Sequence, residues 1–357
     1  MTADILFVMS CNAKDLVHID GSVGEGGGQI LRTALALSLI TRTPFTMTNI
    51  RVKRAKPGLM PQHVKAVQAA AEIGGAQVDG AELKSSNLAF YPSEANSGVY
   101  RFDIGTAGAT SLVIQTIYLP LAFCKSRSEI TIKGGTHVPF SPCFHYLQMH
   151  WRKYLHVMGL DIRLQMLRAG FYPPGGGLVK AEIQPIVALK PLQLRQRGPL
   201  LRVHGISSFA NLSKSIAERQ RDQALHRLRE LGTGPCSIET EELKALSKGT
   251  LLLLLAEFEH SQACFFALGQ RGKPAERVAD EAVDQLLNFL SSDGAVDPYL
   301  ADQLMLPIAI ANARSDIHTS RITQHQLTNA TVIEKFLAVK YVFEGQIGGP
   351  GIISRLV

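Results

Sequence analysis

The chain has 357 residues, of which 46% are hydrophobic and 19% charged. Such a composition excludes a disordered or fibrous chain and buries a full core without disulfide or metal staples, with room for about two domains. Lys and Arg outnumber Asp and Glu by 37 to 30, a net charge of +7 with histidine neutral and a pI near 9.2, which fits an anionic partner such as nucleic acid, nucleotide or phosphate.

Five cysteines (Cys11, Cys124, Cys143, Cys236 and Cys264) include no C-x-x-C pair. That argues against a disulfide framework and a structural zinc site, and fits a reducing, cytoplasmic compartment. The longest aliphatic run, 251–255, is far short of the ~20 residues of a membrane helix. Residues 5–9 are apolar, but Asp4 precedes them and no basic segment does. Residues 1–16 therefore read as a poorly ordered leader rather than a secretion signal.

In chain order, three segments share one design, a Gly-rich or Pro-marked turn followed by a helix apolar on nearly every side: 21–40, 103–123 and 297–313. Such helices belong in a core. Strand-like runs follow at 45–52, 99–104 and 128–135. Second helices open at Pro61, stopping at Gly74-Gly75, and at Pro142, and a further one lies near the C-terminus in NATVIEKFLAV. The order strand, helix, strand, helix, strand recurs about three times, the pattern of an internally repeated α/β architecture. Residues 188–291 read differently, as a compact α/β module inserted into the last repeat, which leaves 17–187 and 292–357 as one large domain.

No P-loop is present, and Gln29 stands where a dinucleotide fingerprint needs its last glycine. The glycine turn at 24–28 still opens a helix and so offers free N–H groups to an anion. Glu25 sits inside that turn with room to reach a ligand or a metal. Arg32 interrupts the apolar run that follows, so it either snorkels or is fixed on an anion or carboxylate. Arg51, Lys53, Arg54 and Lys56 fall within six residues, and Gln62 and His63 start the next helix, a good place to meet phosphate. Tyr299, Asp302 and Gln303 share a helical face suited to a nucleobase, while Gln115 needs a partner in a buried setting. Among the histidines His325 occupies a polar turn between strand and helix, although spacing alone leaves His63 and His137 nearly as eligible as nucleophiles.

Taken together, EGGGQILR (25–32), RAKPGL followed by QH (54–63), GFYPPGGG (170–177), YLADQL (299–304) and HQLTN (325–329) resemble the RNA 3′-terminal phosphate cyclase family, from about Val17 to the C-terminus. The resemblance implies an α/β (α+β) fold of three βαβαββ-type units with an enolpyruvyl-transferase-like architecture, plus the inserted smaller domain. It implies an enzyme that uses ATP and Mg2+ or Mn2+ to convert the 3′-phosphate of an RNA to a 2′,3′-cyclic phosphodiester. On the matching positions, His325 is the histidine that accepts AMP. Gln115 and Tyr299, Leu300, Ala301, Asp302 and Gln303 form the nucleotide site, and Glu25 is placed to bind the metal. Arg32, Arg51, Arg54, Gln62 and His63 meet the phosphates and the RNA end. Two other readings stay open here: a non-catalytic relative acting in ribosome assembly, which would lack the nucleophilic histidine, and an enolpyruvyl transferase-like enzyme for small phosphorylated acids.

Overall fold

The computed structural model describes residues 16–25 and 27–356. The expected leader, Leu16 aside, lies outside those residues. Four four-stranded sheets carry the fold. The first comprises β1 (Val17–Asp20), β2 (Phe45–Thr48), β3 (Gln77–Asp79) and β4 (Leu88–Tyr91), with helices α1 (Gly28–Thr41) and α2 (Pro61–Gly74) in the crossings. Its spatial order is β1-β2-β4-β3, with β1 parallel to β2 and the other pairs antiparallel.

The second sheet has β5 (Val99–Asp103), β6 (Ser128–Gly134), β7 (Ile162–Arg168) and β8 (Gly177–Ile183) in the order β5-β6-β8-β7. Helix α3 (Thr110–Ala122) and a second helix, α4 (144–157), complete it. Within α4 the stretch Leu147–Trp151 is π-helical. The third sheet begins with β9 (Gln193–Leu194). After a long excursion it continues with α7 (Pro298–Ile310), β14 (Ser315–Thr319), α8 (Gln324–Phe336), β15 (Lys340–Gly345) and β16 (Gly351–Leu356). Its order, β9-β14-β16-β15, and its pairing (parallel, antiparallel, antiparallel) match those of the first two.

The excursion is the fourth sheet, β10 (Leu200–Ala210), β11 (Cys236–Glu242), β12 (Gly249–Phe258) and β13 (Gln262–Leu268), backed by α5 (Lys214–Glu230) and α6 (Ala275–Leu290). The inserted module was expected to start at 188. Gln193 and Leu194, however, pair with Asp316 and Ile317, so the chain still belongs to the third sheet there. A two-residue strand carries too little periodicity to read in a sequence. The expected strand 45–52 also stops at Thr48, because Asn49 and Arg51 take left-handed φ of 54° and 56° that an extended strand cannot use.

Burial explains the aliphatic run in β12. Leu251, Leu253 and Leu255 join the main core, whereas Leu252, Leu254 and Ala256 join the core under α5 and α6. A strand with period 2 and both faces covered has no polar positions. The inserted sheet therefore packs one face on its own helices and the other on the body. Helices α1 and α3 are buried almost throughout, as their sequences demand, and α1 packs against both α3 and α8. That packing brings the N-termini of α1, α7 and α8 to one place.

Candidate active site

The glycine turn lets three elements converge. At Gly27 a β-carbon would come 3.2 Å from Arg54 Nη2, and at Gly28 it would overlap the ring of His63. Side chains there would push the start of α1 off the 51–60 loop. Glu25, half exposed, accepts from His325 Nε2 at 2.7 Å and lies 3.5 Å from Arg54 Nη2.

His325 is held by the helix it starts. Thr323 and Gln326 form a reciprocal capping box, with Thr323 N–H donating to Gln326 Oε1 at 2.9 Å. Gln326 Nε2 also donates to the Pro298 carbonyl at 3.1 Å, which bolts the start of α8 to the start of α7. One turn on, Asn329 Oδ1 accepts from the buried Thr33 hydroxyl of α1 at 2.7 Å. HQLTN is thus a joint between three helices as well as the seat of an imidazole.

Helix α7 is capped by the buried Asp297, which accepts from Tyr299 N at 3.0 Å and Leu300 N at 2.9 Å. It presents Tyr299, Asp302 and Gln303 to a cleft of about 800 Å³, a size that suits a nucleotide. Gln29 Nε2 donates to Asp302 Oδ1 at 2.9 Å, and Gln115 Nε2 donates to Gln303 Oε1 at 2.9 Å. Burial pushes the Asp302 carboxyl up, opposed by His325 and the Gln29 hydrogen bond. Burial also lowers the Arg32 guanidinium to about 10, against the attraction of Asp302. Among the described residues Arg32 has no ion pair or hydrogen bond; it lines the cleft, with Asp302 the carboxylate whose field it feels.

Several expected residues fall elsewhere. Leu300 and Ala301 have no exposed surface and pack in the main core, so their side chains cannot touch a nucleotide. Leu300 lies on the opposite side of α7 from Asp302, and Ala301 about a quarter-turn from Asp302. Arg51 Nη1 donates to the carbonyls of Lys56 and Gly58, both at 2.8 Å, and so braces its own loop. Gln62 Oε1 accepts from Ala109 N at 3.2 Å. His63 is buried, and its Nδ1 accepts from Met60 N at 3.1 Å, which leaves the proton on Nε2 facing Gly28. Burial, with Arg32 and Arg51 nearby, lowers it to about 3, so it is a neutral donor, not a cation. His137, the other eligible nucleophile, is buried, bonded to the Thr136 hydroxyl at 2.7 Å and His145 at 2.8 Å, and does not line the cleft.

Sequence reasoning missed Gln29, noticed only as a failed glycine, and Arg321 and Phe140, which both line the cleft. The loop HVPFSP that carries Phe140 has turn residues but no catalytic pattern, so only its full exposure marks it.

No group of three or more His, Cys, Asp or Glu side chains gathers among the described residues. A divalent ion of the magnesium type needs fewer, because it takes one or two carboxylates and completes its shell with phosphates and water. Glu25 meets that requirement, since its contacts with His325 and Arg54 both use Oε2. No helix of the described residues is long and apolar enough to cross a membrane.

An imidazole paired with a carboxylate, beside an arginine that has no hydrogen-bonded partner among the described residues, on a nucleotide-sized cleft, suits an enzyme that transfers phosphorus-bearing groups. The chain belongs to the RNA 3′-terminal phosphate cyclase family, whose description matches residues 23–343. Relatives carrying that description include one from Archaeoglobus fulgidus, 42% identical over 92% of this chain and 98% of its own. Others come from Thermococcus gammatolerans, 42% identical over 94% of this chain and 97% of its own, and Ralstonia nicotianae, 43% identical over 92% and 94%. The crystal structure of the enolpyruvyl transferase NikO from Streptomyces tendae overlaps 48% of this chain and 33% of that one, at 12% identity and a TM-score of 0.28, too low to carry a fold assignment.

Proposed function

We propose that this chain converts the 3′-terminal phosphate of an RNA to a 2′,3′-cyclic phosphodiester at the expense of ATP, through an adenylylated His325. The observation that carries the reading is the His325–Glu25 pair at 2.7 Å, on the rim of a cleft lined by Arg32, which has no bonded partner among the described residues.

A phosphate monoester does not close on its neighbouring hydroxyl, because its oxygens are poor leaving groups. An imidazole nitrogen of His325 attacks the α-phosphorus of ATP, the bond to the bridging oxygen breaks, and pyrophosphate leaves. An oxygen of the RNA 3′-phosphate then attacks the same phosphorus, the N–P bond breaks, and RNA(3′)pp(5′)A forms. The 2′-hydroxyl finally attacks the phosphorus on the RNA 3′-oxygen and gives up its proton, the bond from that phosphorus to the bridging oxygen breaks, and AMP departs. Splitting the reaction through the protein supplies the leaving group that the substrate lacks.

In this reading Glu25 holds a proton on Nε2 and frees the ring when it turns to other partners. Tyr299 stacks on the base, Asp302 and Gln303 read its edge, and Gln115 fixes Gln303. Arg32 and Arg54 meet phosphate charge, and the His63 and Gln62 side chains, both engaged in the protein, shape that end of the cleft. A divalent cation held by Glu25 would offset charge on the nucleotide phosphates. Leu300 and Ala301 contribute packing only.

The three sheets of equal strand order are, in the same proposal, copies of one βαβαββ unit, with the module 200–290 inserted after the first strand of the third. The four described cysteines are free, which fits a cytoplasmic setting. The test is α-labelled ATP with magnesium or manganese. Label should stay on the denatured protein in base, be lost in acid, and vanish in His325→Asn. Label that persists in His325→Asn overturns the assignment. A protein that takes no label and cyclises no 3′-phosphorylated RNA overturns the reaction.

A further inference from the structure

The cleft takes up a nucleotide and a terminal phosphate, yet the motif GFYPPGGG has no part in it. We propose that this loop, with the segment 244–248 beside it, binds the single-stranded RNA upstream of the reacting end. The inference rests on the cyclase reading and extends it to the body of the substrate.

The two segments are fastened to each other. Ala169 N donates to the Lys244 carbonyl at 2.7 Å, and Phe171 N donates to the Ser247 hydroxyl at 3.1 Å. Asn211 Nδ2 ties down the carbonyls of Ala245 and Ser247 at 2.9 and 3.1 Å. On this held backbone Tyr172 and Leu246 stand 68% and 69% exposed. They border one glycine loop, since a β-carbon at Gly176 would lie 3.2 Å from Leu246 Cδ1. Lys244 and Lys248, both exposed, flank Leu246 in the chain.

The loop is linked by direct contacts to the Arg32 end of the cleft. Gly175 lies flat on the 106–107 backbone, where a β-carbon would come 2.7 Å from Ala107 Cα. Two residues on, Ala109 N bonds to Gln62, and the ring of the adjacent His63 fills the space over Gly28 beside Arg32. A chain of direct contacts thus ties the loop that carries Tyr172 to the Arg32 end of the cleft, and in this proposal a strand whose last phosphate sits at Arg32 runs toward Tyr172.

The chemistry favours RNA as the occupant. Exposed aromatic and aliphatic faces beside exposed cationic tips are what stacked bases and a phosphate backbone need, and stacking accepts any sequence. The glycines let bases approach the backbone closely, as bulky side chains would not.

The experiment compares a 3′-phosphorylated dinucleotide with a single-stranded oligomer of about a dozen nucleotides. In the wild type KM should be lower for the oligomer. Tyr172→Ala and the double variant Lys244→Glu, Lys248→Glu should each raise KM for the oligomer on the order of tenfold. Both should leave KM for the dinucleotide and labelling of His325 by ATP alone unchanged, and Tyr172→Phe should behave as wild type. The lysine variant should also weaken the salt dependence for the oligomer. Equal effects on both substrates, or none on either, overturn the proposal. Loss of the covalent label from the wild-type protein would instead strike the cyclase reading itself.

Discussion

Asp297 and His150, 147 positions apart in the chain, meet at 2.8 Å with neither side chain exposed to solvent. The carboxylate also takes the hydroxyl of Tyr146 at 3.3 Å, besides capping α7. His150 donates through Nε2, so Nδ1 is free to accept from Gln262 Nε2, 3.1 Å away on β13 of the inserted sheet. One buried chain of hydrogen bonds therefore links that sheet to the helix that displays Tyr299, Asp302 and Gln303.

His150→Ala should cost about 3 kcal/mol in urea unfolding, because it removes the partner of Oδ2 in a fully buried carboxylate. The surviving folded enzyme should need more ATP for half-maximal labelling, since α7 loses its anchor. A variant as stable as wild type would show that Asp297 is satisfied without the imidazole.

Glu25 and His325 are each half exposed, so their contact adds little to stability. Glu25→Gln should melt within a degree or two of wild type, yet its labelling by ATP should slow by about tenfold or more. Labelling at the wild-type rate would remove Glu25 from the adenylylation step.

The three apolar helices and most of the strand runs behind them were legible because each carries strong periodicity or a uniform apolar surface. YLADQ was legible only in part. Spacing places Tyr299, Asp302 and Gln303 on one face but does not say that Leu300 and Ala301 are the core side of the same turn, a fact set by tertiary packing. Arg51 and Arg54 illustrate another limit. They are near neighbours in a basic run, and only the left-handed backbone at Arg51 turns its guanidinium back on its own loop. The Asp297–His150 link was invisible because Asp297 reads only as the start of the helical segment 297–313 and nothing in one sequence couples positions so far apart.

His63 gives a pH dependence with a definite sign. Unfolded, it titrates near its ordinary 6.5, and folded it is lowered to about 3. Above 6.5 it is neutral in both states and costs nothing. As pH falls below 6.5 the unfolded chain binds a proton that the folded one refuses, so stability drops by about 1.4 kcal/mol per unit until near pH 3. His63→Asn can keep the acceptor for Met60 N without a titrating group. Its melting temperature should be flatter than that of wild type between pH 6 and 4. Parallel curves would show that other groups govern acid unfolding.

Arg32 sets stability against function. Its guanidinium interrupts an apolar helix, is lowered by burial, and among the described residues has no bonded partner to offset that cost. Arg32→Met keeps the volume and removes the charge, while Asp302 retains Gln29 as a donor. The variant should be as stable as wild type or more so, by about 1 kcal/mol. It should lose most of its labelling by ATP and most of the rise in melting temperature that ATP gives the wild type, because a ligand stabilises only what it binds. If Arg32→Met instead unfolds early, the guanidinium is a structural element with a partner in solution. If it labels normally, the phosphates lie elsewhere in the cleft.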